Sequence, residues 1–214
     1  MNFLLYLKTY FLSFYTTLIS PVNIHNKLKF MQINEIWFAI KQDNVTGDYL
    51  EFGVFKGKSL FHSIRCAKKY DLDRVTFYGL DSFEGFPEEN HLFYTSENFK
   101  TSYEKVKKIF NKKSNVHLIK GFFNDSLNLK KIKNIKNIAF AFIDCDIYES
   151  AKPIFDYLEN KIPLGGFIMI DDYSSVDKNG NSIYKAFEEN ILLREKFIIF
   201  AYYSNGIVFR KVST

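Results

Sequence analysis

The sequence has few of the residues that identify several protein classes. Its two cysteines, Cys66 and Cys145, have the spacing of neither a zinc site nor a disulfide framework. Only four of the 29 basic residues are arginines, whereas nucleic-acid-binding proteins usually rely on arginine forks. The sequence therefore predicts a protein of a reducing, cytoplasmic setting, with no nucleic-acid partner.

The chain also lacks linkers and long apolar runs. It contains 4 prolines and 10 glycines, and no stretch rich in them divides the 214 residues. We expect one domain over residues 47–214, preceded by a helical extension over residues 1–46. Residues 1–20 are rich in Phe, Leu and Tyr, and Lys8 is their single charged residue. Three interpretations of them stay open: a helix that packs or forms a homo-oligomer, a helix on a membrane surface, and a signal or membrane span.

Short apolar segments alternate with amphipathic ones through the rest of the chain. Strands are predicted at residues 47–54, 75–80, 116–120, 138–143, 167–170, 197–202 and 207–211. Helices are predicted at residues 27–41, 59–70, 101–111, 149–160 and 182–193. The Asn205-Gly206 step between the last two strands favours a hairpin turn. The pattern predicts an α/β fold with a mainly parallel, seven-stranded, Rossmann-like sheet that ends in an antiparallel hairpin.

A glycine turn follows the first predicted strand. Gly53 and Gly57 would let a ligand approach the backbone, and the next helix offers free N–H groups. Only three residues separate these glycines, whereas a phosphate-binding P-loop needs four, and a dinucleotide fingerprint needs a third glycine. The turn therefore predicts a nucleoside ligand without a pyrophosphate.

Polar residues also follow the second and third predicted strands. Asp81 lies where an acid can accept the two hydroxyls of a ribose, although Asp-Ser is also common in turns and helix caps. Gly121 would admit an adenine ring and Phe122 could stack on it, while Asn124 or Asp125 could bind its amino group. These positions predict a nucleoside pocket.

Two acidic clusters close the fourth and fifth strands: Asp144 with Asp146, and Asp171 with Asp172. If the strand persists past Ile143, Asp144 and Asp146 point to the same face. Asp171 and Asp172 would diverge in a strand, but a turn can bring both to one ion. Carboxylates that converge this way usually hold a hard divalent cation, and the alternative is that some of them cap helices.

Four segments of the chain resemble the signature blocks of macrocin-type O-methyltransferases. They are residues 49–59 (YLEFGVFKGKS), 79–87 (GLDSFEGFP), 143–150 (IDCDIYES) and 165–173 (GGFIMIDDY). Enzymes of this family use S-adenosylmethionine to methylate sugar hydroxyls of macrolide and aminocoumarin antibiotics. The resemblance extends from about residue 47 to residue 211.

The resemblance implies an Mg²⁺ ion held by Asp144, Asp171 and Asp172, with Asp146 as the general base. It also implies a class I methyltransferase fold and S-adenosylmethionine as cofactor. The predicted cofactor contacts are Glu51, Gly53, Ser59, Asp81, Ser82, Gly121, Phe122 and Asp125. Glu51 and Gly53 would hold the methionine end of the cofactor, and Asp81 its ribose.

The expected reaction is methyl transfer to a hydroxyl of a sugar, a glycan or a glycosylated small molecule. Two other functions use the same residues differently. A magnesium-dependent hydrolase or phosphotransferase would need neither the ribose acid nor the adenine pocket, and a nucleoside-binding scaffold would need no catalytic base. Acceptor specificity is expected from the loops at residues 83–99 and 174–182.

Overall fold

A computed structural model describes residues 3–86 and 96–213 of the chain. Within them the strands follow the predicted apolar segments closely. The strands are β1 Asp48–Phe52, β2 Phe77–Asp81, β3 Val116–Lys120, β4 Ile138–Ile143, β5 Phe167–Ile170, β6 Phe197–Tyr203 and β7 Gly206–Lys211. The helices are α1 Phe3–Leu18, α2 Pro21–Gln42, α3 Lys58–Lys69, α4 Ser96–Phe99, α5 Tyr103–Phe110, α6 Phe123–Ser126, α7 Lys130–Lys133, α8 Tyr148–Leu158, α9 Ile183–Glu189 and α10 Ile191–Arg194.

The seven strands form one sheet in the order β3-β2-β1-β4-β5-β7-β6. Strands β1 to β5 are parallel to one another, whereas β7 is antiparallel to both β5 and β6. This arrangement confirms the predicted fold class. The strand order reverses between β1 and β4, so a ligand is expected at the carboxyl edge of the sheet near these two strands.

The sheet is covered on both faces. Helices α8 and α9 pack on one face, where Leu50 and Phe155 are buried. Helices α2, α3 and α5 cover the other, where Trp37 and Tyr49 are buried. Every residue of the central strand β4 is buried, which explains why its sequence is continuously apolar and not alternating.

Helix α2 completes the second apolar layer although it lies in the predicted N-terminal extension. Its Trp37 ring is fully buried, and its indole N–H donates to Ser63 Oγ of α3 at 2.7 Å. Ile33, Ile36 and Ile40 are buried on the same side of the helix. The division of the chain after residue 46 stays a prediction from the sequence. In the folded chain, α2 and the sheet share one apolar core.

Helix α1, unlike α2, is exposed to solvent along most of its length. All side chains from Leu7 to Leu18 are exposed, and Phe11 is 60% exposed. Of the helices that the structure describes, none combines the length and apolarity needed to cross a membrane. The interpretations of α1 as an oligomer-forming helix or a membrane-surface helix stay predictions.

Two local expectations need correction. The helix predicted over residues 182–193 is broken at Asn190, whose side chain accepts from Leu193 N at 3.0 Å and so begins a new helix. In the hairpin the turn residues are Ser204 and Asn205, and Gly206 already belongs to β7. A Cβ atom on Gly206 would lie 2.1 Å from the ring of Tyr203, so glycine is needed there for packing.

Candidate active site

A cavity of about 830 Å³ lies at the carboxyl edge of the parallel strands. Its wall is formed by the turn after β1, the ends of β2 to β5, the first half of α2, the start of α8 and the turn between β6 and β7. This is the position that the strand order predicts, and the volume is that of a site for a small molecule or cofactor. Both groups of predicted site residues, the nucleoside pocket and the aspartates, meet in it.

The glycine turn brings β1 and β4 into close contact. Gly53 has a φ of +96°, and a Cβ atom there would lie 1.8 Å from the carbonyl oxygen of Asp144. Gly57 N donates to Val54 O at 2.7 Å, which closes the turn just before α3. Gly53 and Ser59 both line the cavity, as the nucleoside interpretation requires.

Asp81 organises this turn. Its Oδ2 accepts from Val54 N at 2.8 Å and from Phe55 N at 2.7 Å, and its Oδ1 accepts from Phe83 N at 2.6 Å. These bonds agree with the turn-forming alternative considered for Asp-Ser. Asp81 also lines the cavity, and its Oδ1 keeps a second lone pair, so its predicted ribose contact stays a prediction.

Glu51 lies beneath the cavity wall and is fully buried. Its carboxyl group accepts from Tyr49 Oη at 2.5 Å and from Ser59 Oγ at 2.8 Å. Burial raises the pKa of Glu51 to about 8. Glu51 therefore fixes Ser59 from behind, and its predicted contact with the methionine end of the cofactor stays a prediction.

The remaining predicted cofactor residues divide into two groups. Ser82, Gly121 and Phe122 line the cavity. Asp125 is exposed on the first turn of α6, whereas its neighbour Asn124 lines the cavity. Of the two residues proposed to bind an adenine amino group, Asn124 thus has the more suitable position.

The acidic clusters converge as predicted. Carboxylate oxygens of Asp144, Asp171 and Asp172 lie within 4.8 Å of one another. The strands end at Ile143 and Ile170, so Asp144 and Asp146 do not share a strand face as expected. Turns bring the side chains together instead, with φ values of +64° at Asp146 and +44° at Asp172. Such angles are uncommon for residues with side chains, and Asp adopts them more readily than most.

Asp146 is buried in the cavity wall beside Asp172. Burial and then the charge of Asp144 raise the pKa of Asp146 well above its usual range, and a hydrogen bond with Asp172 acts in the same direction. Burial likewise raises the pKa of Asp144 to about 7. Carboxylates held so close together do not all ionise at neutral pH unless a cation joins them.

Asp171 is surrounded by donors and is 1% exposed. Tyr203 Oη donates to its Oδ1 at 2.8 Å, His25 Nε2 lies 3.1 Å from its carboxylate, and Lys29 Nζ forms an ion pair with its Oδ2. Burial opposes ionisation, but the His25 hydrogen bond and the Lys29 charge lower the pKa of Asp171 to about 2. The hydrogen bond to Asp171 in turn raises the pKa of His25.

Four residues of the site were missed by sequence reasoning. His25 and Lys29 come from α2, Tyr203 from β6, and Asn205 from the hairpin turn, where its side chain donates to Asp172 Oδ1 at 3.1 Å. The i, i+4 spacing of His25 and Lys29 places them on one face of a helix, which was a usable signal. Nothing in the sequence indicates that this face meets residues more than a hundred positions away.

The donor set suits the metal that the resemblance implies. Three carboxylate groups within 4.8 Å supply the hard oxygen ligands that Mg²⁺ and similar ions prefer. Lys29 Nζ already lies 3.1 Å from Asp144 Oδ2, so the cluster takes up positive charge from the chain itself. Glu149 Oε2 is a buried oxygen in the same wall with no hydrogen-bond partner among the described residues, which suits a ligand that carries hydroxyl groups.

Comparison with known proteins agrees with the interpretation of the cavity as an active site. The chain is 25% identical to demethyldecarbamoylnovobiocin O-methyltransferase of Streptomyces niveus over 72% of its length. It is 26% identical to mycinamicin III 3''-O-methyltransferase of Micromonospora griseorubida, also over 72% of its length. The matched regions cover 64% and 66% of these two relatives.

Solved structures show the same fold. The O-methyltransferase NovP superposes with a TM-score of 0.74 at 22% identity, covering 86% of this chain and 80% of NovP. The calicheamicin methyltransferase CalS11 superposes with a TM-score of 0.72 at 16% identity, covering 87% of this chain and 79% of CalS11. The sequence profile of the macrocin-O-methyltransferase (TylF) family matches residues 23–211, a range that includes the four site residues missed by sequence reasoning. The chain therefore belongs to the macrocin O-methyltransferase family.

Proposed function

We propose that the protein transfers a methyl group from S-adenosylmethionine to a hydroxyl of a sugar or glycosylated small molecule, with the help of a divalent metal ion. The observation that carries this proposal is the single cavity wall that joins a glycine turn and Asp81 to a cluster of four aspartates. The glycine turn and Asp81 suit a nucleoside, and the four aspartates suit activation of a hydroxyl. Family membership and the names of the relatives support methyl transfer as the reaction.

The cofactor would lie along the ends of β1, β2 and β3. Gly53 leaves room for a ligand at the turn, Asp81 would offer the remaining lone pair of its Oδ1 to a ribose hydroxyl, and Phe122 would stack on the base. The positive sulfonium would then face the aspartates beyond β4. This placement brings the methyl group toward the part of the cavity that holds Asp144 and Asp146.

Asp144, Asp171 and Asp172 would hold the metal, and Asp146 would take the proton of the acceptor. A bound divalent ion lowers the pKa of a ligated hydroxyl and fixes its orientation. In the reaction the acceptor oxygen bonds to the methyl carbon while the carbon–sulfur bond breaks and its electron pair stays on sulfur. Asp146 lies in the cavity wall next to Asp172, where it can receive the proton that the oxygen loses.

The acceptor would enter past the start of α2 and the residues after β2. Pro21, Val22 and Asn26 line this side, together with Phe86 and Phe99. The predicted acceptor loop at residues 83–99 lies partly outside the described residues, and so does Pro87 of its signature block. A glycosylated small molecule suits this mixture of aromatic and polar surface, with Glu149 Oε2 available to a sugar hydroxyl.

The two alternative functions account for fewer of these features. A magnesium-dependent hydrolase or phosphotransferase leaves the glycine turn and the Gly121–Phe122 surface without a role. A nucleoside-binding scaffold leaves the four aspartates without one. Neither alternative is represented among the named relatives, which are O-methyltransferases.

Calorimetry with S-adenosylhomocysteine tests the cofactor part of the proposal. We expect binding, because the product keeps every contact of the cofactor except those of the methyl group. Transfer of a radiolabelled methyl group to a panel of glycosides and nucleotide sugars tests the reaction. No S-adenosylhomocysteine binding would refute the proposal, and binding without transfer in an acceptor panel that includes desmethyl macrolides and aminocoumarins would favour the scaffold.

Chelation of the metal and substitution of its proposed ligands test whether the reaction requires a metal ion. We expect excess EDTA, Asp144→Ala and Asp171→Ala each to abolish methyl transfer while S-adenosylhomocysteine still binds. Asp73→Ala, at an exposed aspartate in the turn before β2, is the matched control and should retain full activity. Full turnover in EDTA would refute the metal requirement and leave the transferase proposal intact.

A further inference from the structure

The ammonium group of Lys29 lies inside the aspartate cluster. Its Nζ is 3.1 Å from Asp144 Oδ2 and forms an ion pair with Asp171 Oδ2, and the side chain is 11% exposed. The ring of Phe142 lies 5.8 Å away on its other side. Lys29 is thus a buried, well-enclosed cation that bridges two of the three carboxylates expected to hold a metal.

A metal ion and this ammonium need the same space. A divalent ion binds carboxylate oxygens at about 2.0 to 2.6 Å, so it must lie between the carboxylates that it joins. Asp144 and Asp171 are two of the three groups in the cluster, and Lys29 Nζ already lies between them. Two positive groups so close together would also repel each other strongly where solvent is excluded.

We infer that Lys29 is a built-in competitor of the divalent ion, and that metal binding displaces its ammonium from Asp144 and Asp171. The inference rests on the metal part of the proposed function. In the metal-free protein Lys29 neutralises the cluster and keeps the buried carboxylates from repelling one another. The affinity for the metal then depends on displacement of the Lys29 ammonium as well as on the carboxylates.

The structure gives the displaced ammonium somewhere to go. Lys29 lines the cavity, and its long side chain can rotate toward the open volume without moving the helix backbone. His25 would remain on Asp171, one turn earlier on α2. Metal binding would therefore remove one of the two side chains by which α2 holds Asp171.

Metal binding by purified variants tests the exchange. The probe is Mn²⁺, and free Mn²⁺ is measured by electron paramagnetic resonance without cofactor or acceptor. We expect Lys29→Met to bind Mn²⁺ about tenfold more tightly or better, because the charge of a site tunes its affinity. Lys29→Arg keeps a cation and should bind like the original chain, as should Lys27→Met, which removes an exposed lysine of the same helix.

The outcomes separate this inference from the proposed function. Equal or weaker Mn²⁺ binding by Lys29→Met would overturn the competition and leave the metal role standing. If neither the original chain nor Lys29→Met binds Mn²⁺, the metal role fails and the inference fails with it. The cofactor part of the proposal would still be decided by S-adenosylhomocysteine binding.

A second measurement uses the unchanged protein, since Lys29→Met leaves buried carboxylates unpaired and can reduce folding. Amine acetylation followed by peptide mass spectrometry reports how accessible each lysine is. Lys29 should be protected without metal and become several-fold more reactive at saturating Mn²⁺, whereas Lys27 should react equally in both. Unchanged Lys29 reactivity under conditions where Mn²⁺ binds would overturn the inference.

Discussion

Individual residues of the site hold conformations that cost free energy. Asp146 and Asp172 both have positive φ angles, and neither is a glycine. Each such residue costs about 1 to 3 kcal/mol unless surrounding contacts fix it. Here the close approach of β1 and β4 at Gly53 and the bond from Asn205 to Asp172 help to fix the two turns.

Asp146→Asn tests the assignment of the base. We expect the variant to fold and to bind S-adenosylhomocysteine and Mn²⁺ normally, because Asp146 is not one of the three carboxylates that converge. Turnover should fall by about a hundredfold or more, since an amide cannot accept the proton. Single-turnover methyl transfer measures this step, and a rate close to that of the original chain would assign the base elsewhere.

Gly53→Ala tests the contact between β1 and β4. We expect a loss of about 3 kcal/mol or more in the free energy of unfolding, because both φ strain and a backbone clash are introduced. Gly180→Ala is the matched control, since Gly180 has a φ of +76° but no atom of the described residues within 4 Å of an added Cβ. Urea unfolding should show a much smaller loss for Gly180→Ala, and equal losses would mean that the clash is relieved.

The sequence located the candidate site residues that directly follow a strand. Asp144, Asp171 and Asp172 were found because apolar strands of known length end just before them. Asp81 was located equally well, but its bonds to Val54 N and Phe55 N could not be foreseen, because they depend on how the neighbouring turn folds back. Lys29 was missed because helical spacing identifies a face and not what the face contacts.

Elements of secondary structure reach the site from both ends of the chain. The β6–β7 hairpin places Asn205 against Asp172, and α2 places His25 and Lys29 against Asp171. The sequence predicted the hairpin from its two strands and the Asn205-Gly206 step between them. Its turn also positions Asp172, a proposed metal ligand, which the Asn-Gly pattern does not indicate.

Asn205→Ala tests this function of the hairpin. The variant loses the donor to Asp172 Oδ1 while the strand pairing of β6 with β7 is kept. We expect Mn²⁺ affinity to fall by about tenfold, as is usual when a partner of a metal ligand is removed. Asn179→Ala, at an exposed loop asparagine, is the control and should bind Mn²⁺ normally; equal affinity in both variants would contradict the role of Asn205.

Deletion of residues 1–20 tests α1. Because all side chains from Leu7 to Leu18 are exposed, the melting temperature should stay within about 2 °C of that of the full chain. We expect sedimentation or binding to lipid vesicles to change, since the removed surface is rich in exposed Phe, Leu and Tyr side chains. A deletion that alters neither sedimentation nor vesicle binding would contradict both open interpretations of the helix.

At the scale of the whole molecule, stability should depend on pH through Glu51. Burial raises its pKa to about 8 in the folded state, from the usual 4.5. Between these values the folded protein holds a proton that the unfolded chain releases, so stability falls as pH rises through this window. Above about pH 8 the loss is complete.

Glu51→Gln isolates this effect. The amide is uncharged at every pH, so the variant should gain stability relative to the original chain as pH rises from 5 toward 8. Urea unfolding of both proteins at pH 5.5, 7 and 8.5 measures the difference, and other titrating groups cancel. A difference that does not change with pH would mean that Glu51 is not the titrating group.

The overall architecture could be predicted more fully than the site. Alternating apolar and amphipathic segments determine a doubly covered sheet, because each strand and helix must bury one kind of surface. The apolar run from Ile138 to Ile143 was enough to predict a strand, and the structure places it at the centre of the sheet. The break at Asn190 and the packing of Trp37 against Ser63 could not be inferred, since both depend on the neighbours that the folded chain supplies.

The distance along the chain between α2 and its partners has a consequence for synthesis. His25 and Asp171 are separated by 146 positions, and Tyr203 comes later still. At about 5 to 20 residues per second, Asp171 is synthesised roughly 7 to 30 s after His25. During that interval His25 and Lys29 lack their partner Asp171, whereas Trp37 of the same helix can already pack against Tyr49 and Ser63. The two ends of α2 therefore reach their final contacts at different stages of synthesis.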